Sequence, residues 1–265
     1  MIMKRRTALI TGACINTGVA IVEKFLSEGW NVVFTGRDAI KVKNAEMEYK
    51  SKFPDAKITG YTINSLDKSL AVDESALDEF FAFMDKEKIL LDCLVLNAAD
   101  QGLGIEIFKN PLPDFIKVLN VNVVWNYAVI ERAAVRMKET DGGSIIFINS
   151  NTAYRAIPDR IAYETSKSAQ LGMMRGLALD LGKYNIRVNA VLPGMIKTDR
   201  WDKNPEFYKE VPSRFTPLGD VAVGADIADA VYYFAAHARN TTGAELVVDG
   251  GNMIQLYPII KKENK

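Results

Sequence analysis

Two cysteines and one histidine are all the thiol and imidazole groups that the 265 residues supply. A zinc site built on Cys and His ligands needs more than Cys14, Cys93 and His237 offer, so no metal is expected. Serine hydrolysis through a histidine base would depend on His237, in YYFAAHARN at the end of an expected surface helix, where a solvated ring is the simpler reading. Cys93, inside LLDCLVL, reads as a small core residue. Cys14, in a loop before a helix, reads as filler ahead of redox sensor. An excess of charge is missing too: Lys plus Arg and Asp plus Glu number 33 each, for a net charge of +0. No overall field draws the chain to nucleic acid or an anionic membrane, which leaves a small molecule as the expected partner. No uninterrupted apolar run nears the roughly 20 residues of a membrane helix. The run TALI behind MIMKRR is cut by Thr11 and Gly12 before it reaches the length of a secretory h-region, so a soluble, cytoplasmic protein is expected.

What is present is a rhythm. Short β-branched runs (TALIT, NVVFT, KITGYTI, LDCLVLN, SIIFINS, IRVNAVL and AELVVDG) alternate with segments whose apolar residues recur every three or four positions, such as Leu77, Phe80, Phe81 and Met84. Near-continuous apolar strands separated by amphipathic helices predict an α/β fold with a seven-stranded, mostly parallel, doubly wound sheet covered by helices on both faces. No linker rich in Pro, Gly or Ser and no short repeat divides the chain, so residues 1–265 are expected to form a single domain. Ligands in such sheets bind at the carboxyl ends of the strands. The polar residues there are Thr11 and Gly12, Gly36 and Arg37, Asn64, Asn97, Ser150, and Pro193 with Gly194.

The loop TGACINTGVA, between the first strand and helix, carries Gly12, Asn16, Thr17 and Gly18 without completing G-x-G-x-x-G, and by itself is a weak signal. In AYETSK, Tyr163 precedes Lys167 by four residues, which puts phenol and ammonium on one helix face. Ser150 ends a strand thirteen residues before Tyr163.

Together these residues resemble the short-chain dehydrogenase/reductase family along nearly the whole chain. The cofactor turn of that family is similar to Thr11, Gly12 and Gly18, and its motif after the fourth strand to Asn97–Ala99. Its catalytic set is similar to Asn122 in NVNVV, Ser150, Tyr163 and Lys167. Its nicotinamide-side loop resembles PGMIKT, Pro193–Thr198, and its closing strand TGAELVVDGG. The resemblance implies a Rossmann fold, a homo-oligomer (tetramer or dimer), and a cofactor lying along Gly12, Asn16, Thr17, Gly18, Arg37, Asn64, Ser65, Asn97, Ala98, Tyr163, Lys167, Pro193, Gly194, Ile196 and Thr198. Two positions depart from the family. Asn16 stands for the middle glycine of the turn, and Ala99 for the glycine after NA. Asparagine enters the left-handed region more readily than most residues and can cap a helix or meet a phosphate oxygen.

The implied reaction interconverts a ketone and a secondary alcohol. A free tyrosine, with a pKa near about 10, is a poor base at neutral pH. Lys167 and the oxidised nicotinamide are expected to lower it, Tyr163 to exchange a proton with the substrate oxygen, and Ser150 to orient that oxygen. Asn122, by resemblance, would hold a water linking Lys167 to solvent. Gly36 followed by Arg37 stands where a NAD-selecting chain carries a carboxylate, and a guanidinium pairs with a 2′-phosphate, so NADP is favoured over NAD. The expected substrate walls are DQGLGIEIF, NTAYRAIPD, and a lid near 195–220 with Trp201, Phe207, Tyr208 and Phe215. Sugars, polyols, hydroxysteroids and 3-oxoacyl thioesters all remain open. A cofactor-binding scaffold or redox sensor without turnover is the alternative of another class, and the presence of both Tyr163 and Lys167 ranks it below an enzyme.

Overall fold

Alternation along single strands builds two packed layers. In β1 (Thr7–Ile10) Ala8 and Ile10 face one layer and Leu9 the other; in β4 (Cys93–Leu96) Cys93 and Val95 oppose Leu94 and Leu96. The computed structural model describes residues 5–109, 111–198, 201, 205, 208 and 210–259. The remaining strands are β2 (Asn31–Gly36), β3 (Ile58–Thr62), β5 (Gly143–Ile148), β6 (Ile186–Pro193) and β7 (Glu245–Val248), in the spatial order β3-β2-β1-β4-β5-β6-β7. Every pairing between them is parallel, so the sheet expected as mostly parallel is wholly so. Burial on both faces explains why the strands read as continuous apolar runs.

Helices α1 (Asn16–Ser27) and α2 (Ala39–Lys52) cover one face, contributing Ile21, Phe25 and Val42 to its core. Helix α3 (Glu74–Lys86) supplies Leu77, Phe80, Phe81 and Met84 to the other. Burying one such aromatic is worth roughly 1.5–3 kcal/mol, which is why the 3.6-residue spacing dictates the face. Helix α4 (Leu112–Leu119) runs through a π-helical turn, Asn120–Val124, into α5 (Trp125–Glu139). Helix α6 (Ile161–Leu181) packs beside it, followed by α7 (Val211–Phe215) and α8 (Gly224–Tyr232). Helix α8 lies against α1, where Gly224 admits Ala20: a Cβ on that glycine would stand 2.9 Å from the Ala20 methyl.

Strand order reverses between β1 and β4, so the loops leaving these two strands lie side by side at the carboxyl end of the sheet. Among the described residues no helix is long and apolar enough to cross a membrane.

Candidate active site

The loop after β1 is stapled to the loop after β4. Thr11 Oγ1 accepts the Asn97 and Ala98 amides, each at 3.0 Å, and the Asn97 side chain donates to the carbonyls of Thr11 at 3.0 Å and Gly12 at 2.9 Å. Asn97 therefore shapes the turn from behind. Gly12 has φ +65° and a Cβ there would meet the Ala98 Cα at 2.8 Å; one on Gly18 would meet the Ala13 Cα at 2.7 Å. Neither position can carry a side chain. Asn16 has φ 49°, the left-handed geometry that its residue type predicts. Its side chain is exposed, and α1 begins with no side-chain cap and no acid in its first turn. The positive end of α1 thus presents main-chain N–H groups without a side-chain acceptor beside a glycine turn, which fits the diphosphate of a dinucleotide.

At the end of β2, Gly36 is closed by neighbours: a Cβ there would lie 2.6 Å from Cys14 Sγ and 2.8 Å from Val42 Cγ2. Cys14 fills the space into which a carboxylate side chain at residue 36 would grow. Burial and the nearby Asp38 push its thiol up, which disfavours the thiolate. Arg37 is exposed and makes no salt bridge among the described residues. The Asp38 carboxylate is occupied as the cap of α2, accepting from Ile40 at 3.0 Å and Lys41 at 3.1 Å. Asn64 is exposed and Ser65 half-buried, just beyond β3.

Tyr163 and Lys167 occupy the first turns of α6, facing the exit of β5. Ser150, two residues beyond that strand, lies near enough to the Tyr163 phenol to favour its ionised form, and accepts from Thr152 Oγ1 at 2.9 Å. Burial pushes the Tyr163 phenol up; the nearby Ser150 hydroxyl and the charge of Arg160 oppose that rise. Lys167 is 2% exposed, and burial alone drives its ammonium down to about 7. Its Nζ donates to the Ile148 carbonyl at 2.7 Å and to Gln170 Oε1 at 3.3 Å. Lys167 Nζ is thus turned toward two oxygen acceptors while standing 5.4 Å from the centre of the Tyr163 ring.

Asn122 lies in the π-helical turn. Its side chain bridges Asp100 and Ser166, donating to the Asp100 carbonyl at 2.8 Å and Ser166 Oγ at 2.9 Å while accepting the Asp100 amide at 2.7 Å. Its main-chain carbonyl, in a turn where the i→i−4 ladder is interrupted, accepts Gln170 Nε2 at 2.7 Å and Asn126 Nδ2 at 2.8 Å. Two side-chain amides therefore meet at the Asn122 carbonyl.

Gly194, after β6, is bonded to the Val248 carbonyl at 3.0 Å, and Ile196 bridges to Ala222. Pro193 is the last residue of β6, and Thr198 accepts the Trp201 amide at 2.8 Å. Of the lid aromatics, Trp201 and Tyr208 stack at 4.3 Å, Phe215 ends α7, and Phe207 lies outside the described residues.

A family model described as enoyl-(acyl carrier protein) reductase matches residues 12–252. The chain is 34% identical over 255 residues to the 3alpha-hydroxysteroid dehydrogenase of Mediterraneibacter gnavus, covering 94% of this chain and 98% of that protein. It is 31% identical over 259 residues to dehydrogenase/reductase SDR family member 4 of Caenorhabditis elegans, covering 95% and 96%. The chain belongs to the short-chain dehydrogenase/reductase family. A solved structure, ElxO with NADP bound, superimposes with a TM-score of 0.85 at 27% identity, covering 95% of this chain and 100% of that one. As a family member the protein is an oxidoreductase acting on CH–OH and C=O groups with a nicotinamide dinucleotide.

Within this family member, sequence reasoning missed Asn149, Ser166 and Gln170, which join Asn122 to Lys167. The signal for Ser166 and Gln170 lay in the buried stripe of α6, Ala162, Ser166, Gln170, Met174 and Ala178 at intervals of four, with Lys167 and Leu171 beside it; Asn149 directly follows β5. Polar residues interrupt only the first half of the stripe, where the site lies.

Proposed function

We propose that this protein uses NADP(H) to interconvert a ketone and a secondary alcohol borne on a large apolar skeleton of the steroid class. The observation that carries the reaction is the buried Tyr163 phenol beside Ser150, with the Lys167 ammonium one helical turn along the same helix, 5.4 Å from the centre of the Tyr163 ring. Residues Gly12, Asn16, Thr17 and Gly18 would hold the diphosphate, Arg37 the 2′-phosphate, and Lys167 with Pro193–Thr198 the nicotinamide half. The bound cofactor supplies or accepts the hydride. Ser150 donates to and orients the substrate oxygen, and Tyr163 gives it a proton in reduction or takes one in oxidation. Lys167 lowers the cost of the phenolate that results. Asn122 fixes the α4–α6 contact through Ser166 and Asp100.

The NADP preference rests on an exposed Arg37, a Gly36 closed off by Cys14, and a neighbouring Asp38 already engaged as a cap. The NADP in the ElxO structure supports it. The substrate class rests on large apolar side chains left exposed on loops leaving the carboxyl ends of β4–β7: Leu103, Ile107 and Phe108, then Ile157, Leu218, Leu256 and Tyr257. Such a concentration marks a site for an apolar ligand, and the hydroxysteroid relative supports the same class. Hydrogen bonds tie these loops together: Arg155 donates to the carbonyls of Asn252 and Gln255, each at 2.7 Å, and Arg160 to that of Gln101 at 2.8 Å. A second reading, reduction of 3-oxoacyl thioesters, is favoured by the acyl-carrier description of the matching family model.

Rates with NADPH and NADH against 3-oxosteroids, 3-oxoacyl thioesters and keto-sugars separate these readings. Highest kcat/KM on a 3-oxosteroid with NADPH supports the proposal; preference for an oxoacyl thioester moves the assignment to the second reading.

A further inference from the structure

The Gln170 amide is 1% exposed and sits on the buried stripe of α6, between Ser166 and Met174. A polar side chain at such a depth is retained at a cost unless its groups are paired. It is paired in both senses. Oε1 accepts Asn149 Nδ2 at 3.1 Å and Lys167 Nζ at 3.3 Å, and Nε2 donates to the Asn122 carbonyl at 2.7 Å. Asn149 also donates to the Lys167 carbonyl at 2.8 Å and accepts the Ser150 amide at 2.8 Å, so one connected network holds Lys167, the backbone of Ser150, and Asn122.

We propose that Gln170 is a positioning residue of the reaction: its side-chain amide bridges Lys167 to the Asn122 carbonyl, holding the lysine ammonium charged and aimed beneath Tyr163. This inference rests on the assignment of Tyr163 and Lys167 as the reacting pair.

Three features make the bridge consequential. Nζ has three N–H bonds; the Ile148 carbonyl takes one and Gln170 another, which leaves the third for the side of the site occupied by Tyr163. The groups facing Nζ are otherwise neutral: the Ile148 carbonyl from β5, the Tyr163 ring on its own helix, and the Gln170 amide, with no salt bridge to Lys167 among the described residues. Burial opposes the charge, so each acceptor counts. Finally, an amide does not pass protons near neutral pH, so the Lys167–Gln170–Asn122 connection is a fixed brace and not a relay.

Two variants divide the bridge. Gln170→Met keeps the length and removes both functions; Gln170→Glu keeps an acceptor for Lys167 and loses the donor to Asn122. The readouts are the titration of Lys167 by carbon NMR of labelled lysine in cofactor-free protein, assigned through Lys167→Arg, and kcat, KM and their pH profiles on the best substrate found. In Gln170→Met the Lys167 midpoint is expected to fall by about one pH unit. Its kcat should fall by about tenfold with KM within about twofold, the scale of a lost charged contact that acts on the reacting groups. In Gln170→Glu the midpoint is expected to rise above that of the unaltered protein. Unchanged Lys167 titration in both folded variants overturns the inference and leaves Gln170 as a space-filling residue. If Gln170→Met does not fold, the Gln170→Glu midpoint decides alone: a rise supports the bridge and no change overturns it. A shifted Lys167 midpoint with unchanged kcat overturns the role in the reaction. Failure of the reaction assignment itself would show separately, as undiminished turnover in Tyr163→Phe.

Discussion

The Nζ of Lys167 stands 5.4 Å from the centre of the Tyr163 ring, one turn along the same helix, while its nearest hydrogen bond, at 2.7 Å, is to the Ile148 carbonyl of β5. Helix and strand are thereby joined at the point where the phenol meets Ser150. Burial holds the phenol protonated, the form that donates to a ketone oxygen, and holds the lysine near the midpoint of its own titration at neutral pH.

That midpoint has a consequence for stability. A lysine in an unfolded chain keeps its proton to about 10.4, whereas Lys167 in the fold releases it near about 7. Between these values the unfolded chain binds more protons, so stability relative to a Lys167→Met variant should rise with pH from about 7 and level off near about 10. Urea midpoints of both proteins at several pH values in that window provide the check. Parallel curves would mean that Lys167 titrates normally.

Asn16 should be replaceable by glycine and not by valine. Its φ of 49° costs glycine nothing and a β-branched residue the most. Asn16→Gly is expected to change stability by no more than about 0.5 kcal/mol, and Asn16→Val to cost about 1–2 kcal/mol and to weaken NADPH binding. Thermal unfolding and NADPH fluorescence titration measure the two effects; equal behaviour of all three proteins would contradict the backbone requirement.

Cofactor choice should turn on Arg37 and be guarded by Cys14. Arg37→Asp is expected to shift the NADPH/NADH ratio of kcat/KM toward NADH by about 10-fold or more, the scale of one charge-assisted contact. Gly36→Asp should destabilise the fold by about 1–3 kcal/mol, because its Cβ would meet Cys14 Sγ at 2.6 Å and Val42 Cγ2 at 2.8 Å. Cys14→Gly should recover part of that loss, which chemical unfolding of the single and double variants reads directly.

The layered sheet was legible because buried parallel strands leave an unmistakable pattern of apolar runs, and Tyr163, Lys167 and Ser150 because motif spacing translates into one helix face opposite one strand end. Gln170 was not legible. Its position in α6 identifies a buried stripe, but its partners Asn122 and Asn149 come 48 and 21 residues away in sequence, and only folding brings them together. Cys14 and Gly36 are similar: each reads as ordinary, and their complementarity exists only when β2 is seated beside the first loop. Asn122 shows the limit of a motif. Its presence was recognised, while the occupancy of its carbonyl depended on Gln170 and Asn126.

The most direct measurement is steady-state NADPH oxidation with a 3-oxosteroid by the unaltered protein and by Tyr163→Phe, alongside NADPH affinity and melting temperature. The phenyl ring preserves packing and removes the only proposed proton donor, so turnover should fall by about 10²–10⁴-fold while affinity and melting temperature stay nearly unchanged. Turnover in Tyr163→Phe close to that of the unaltered protein would contradict the assignment of Tyr163 as the acid/base group.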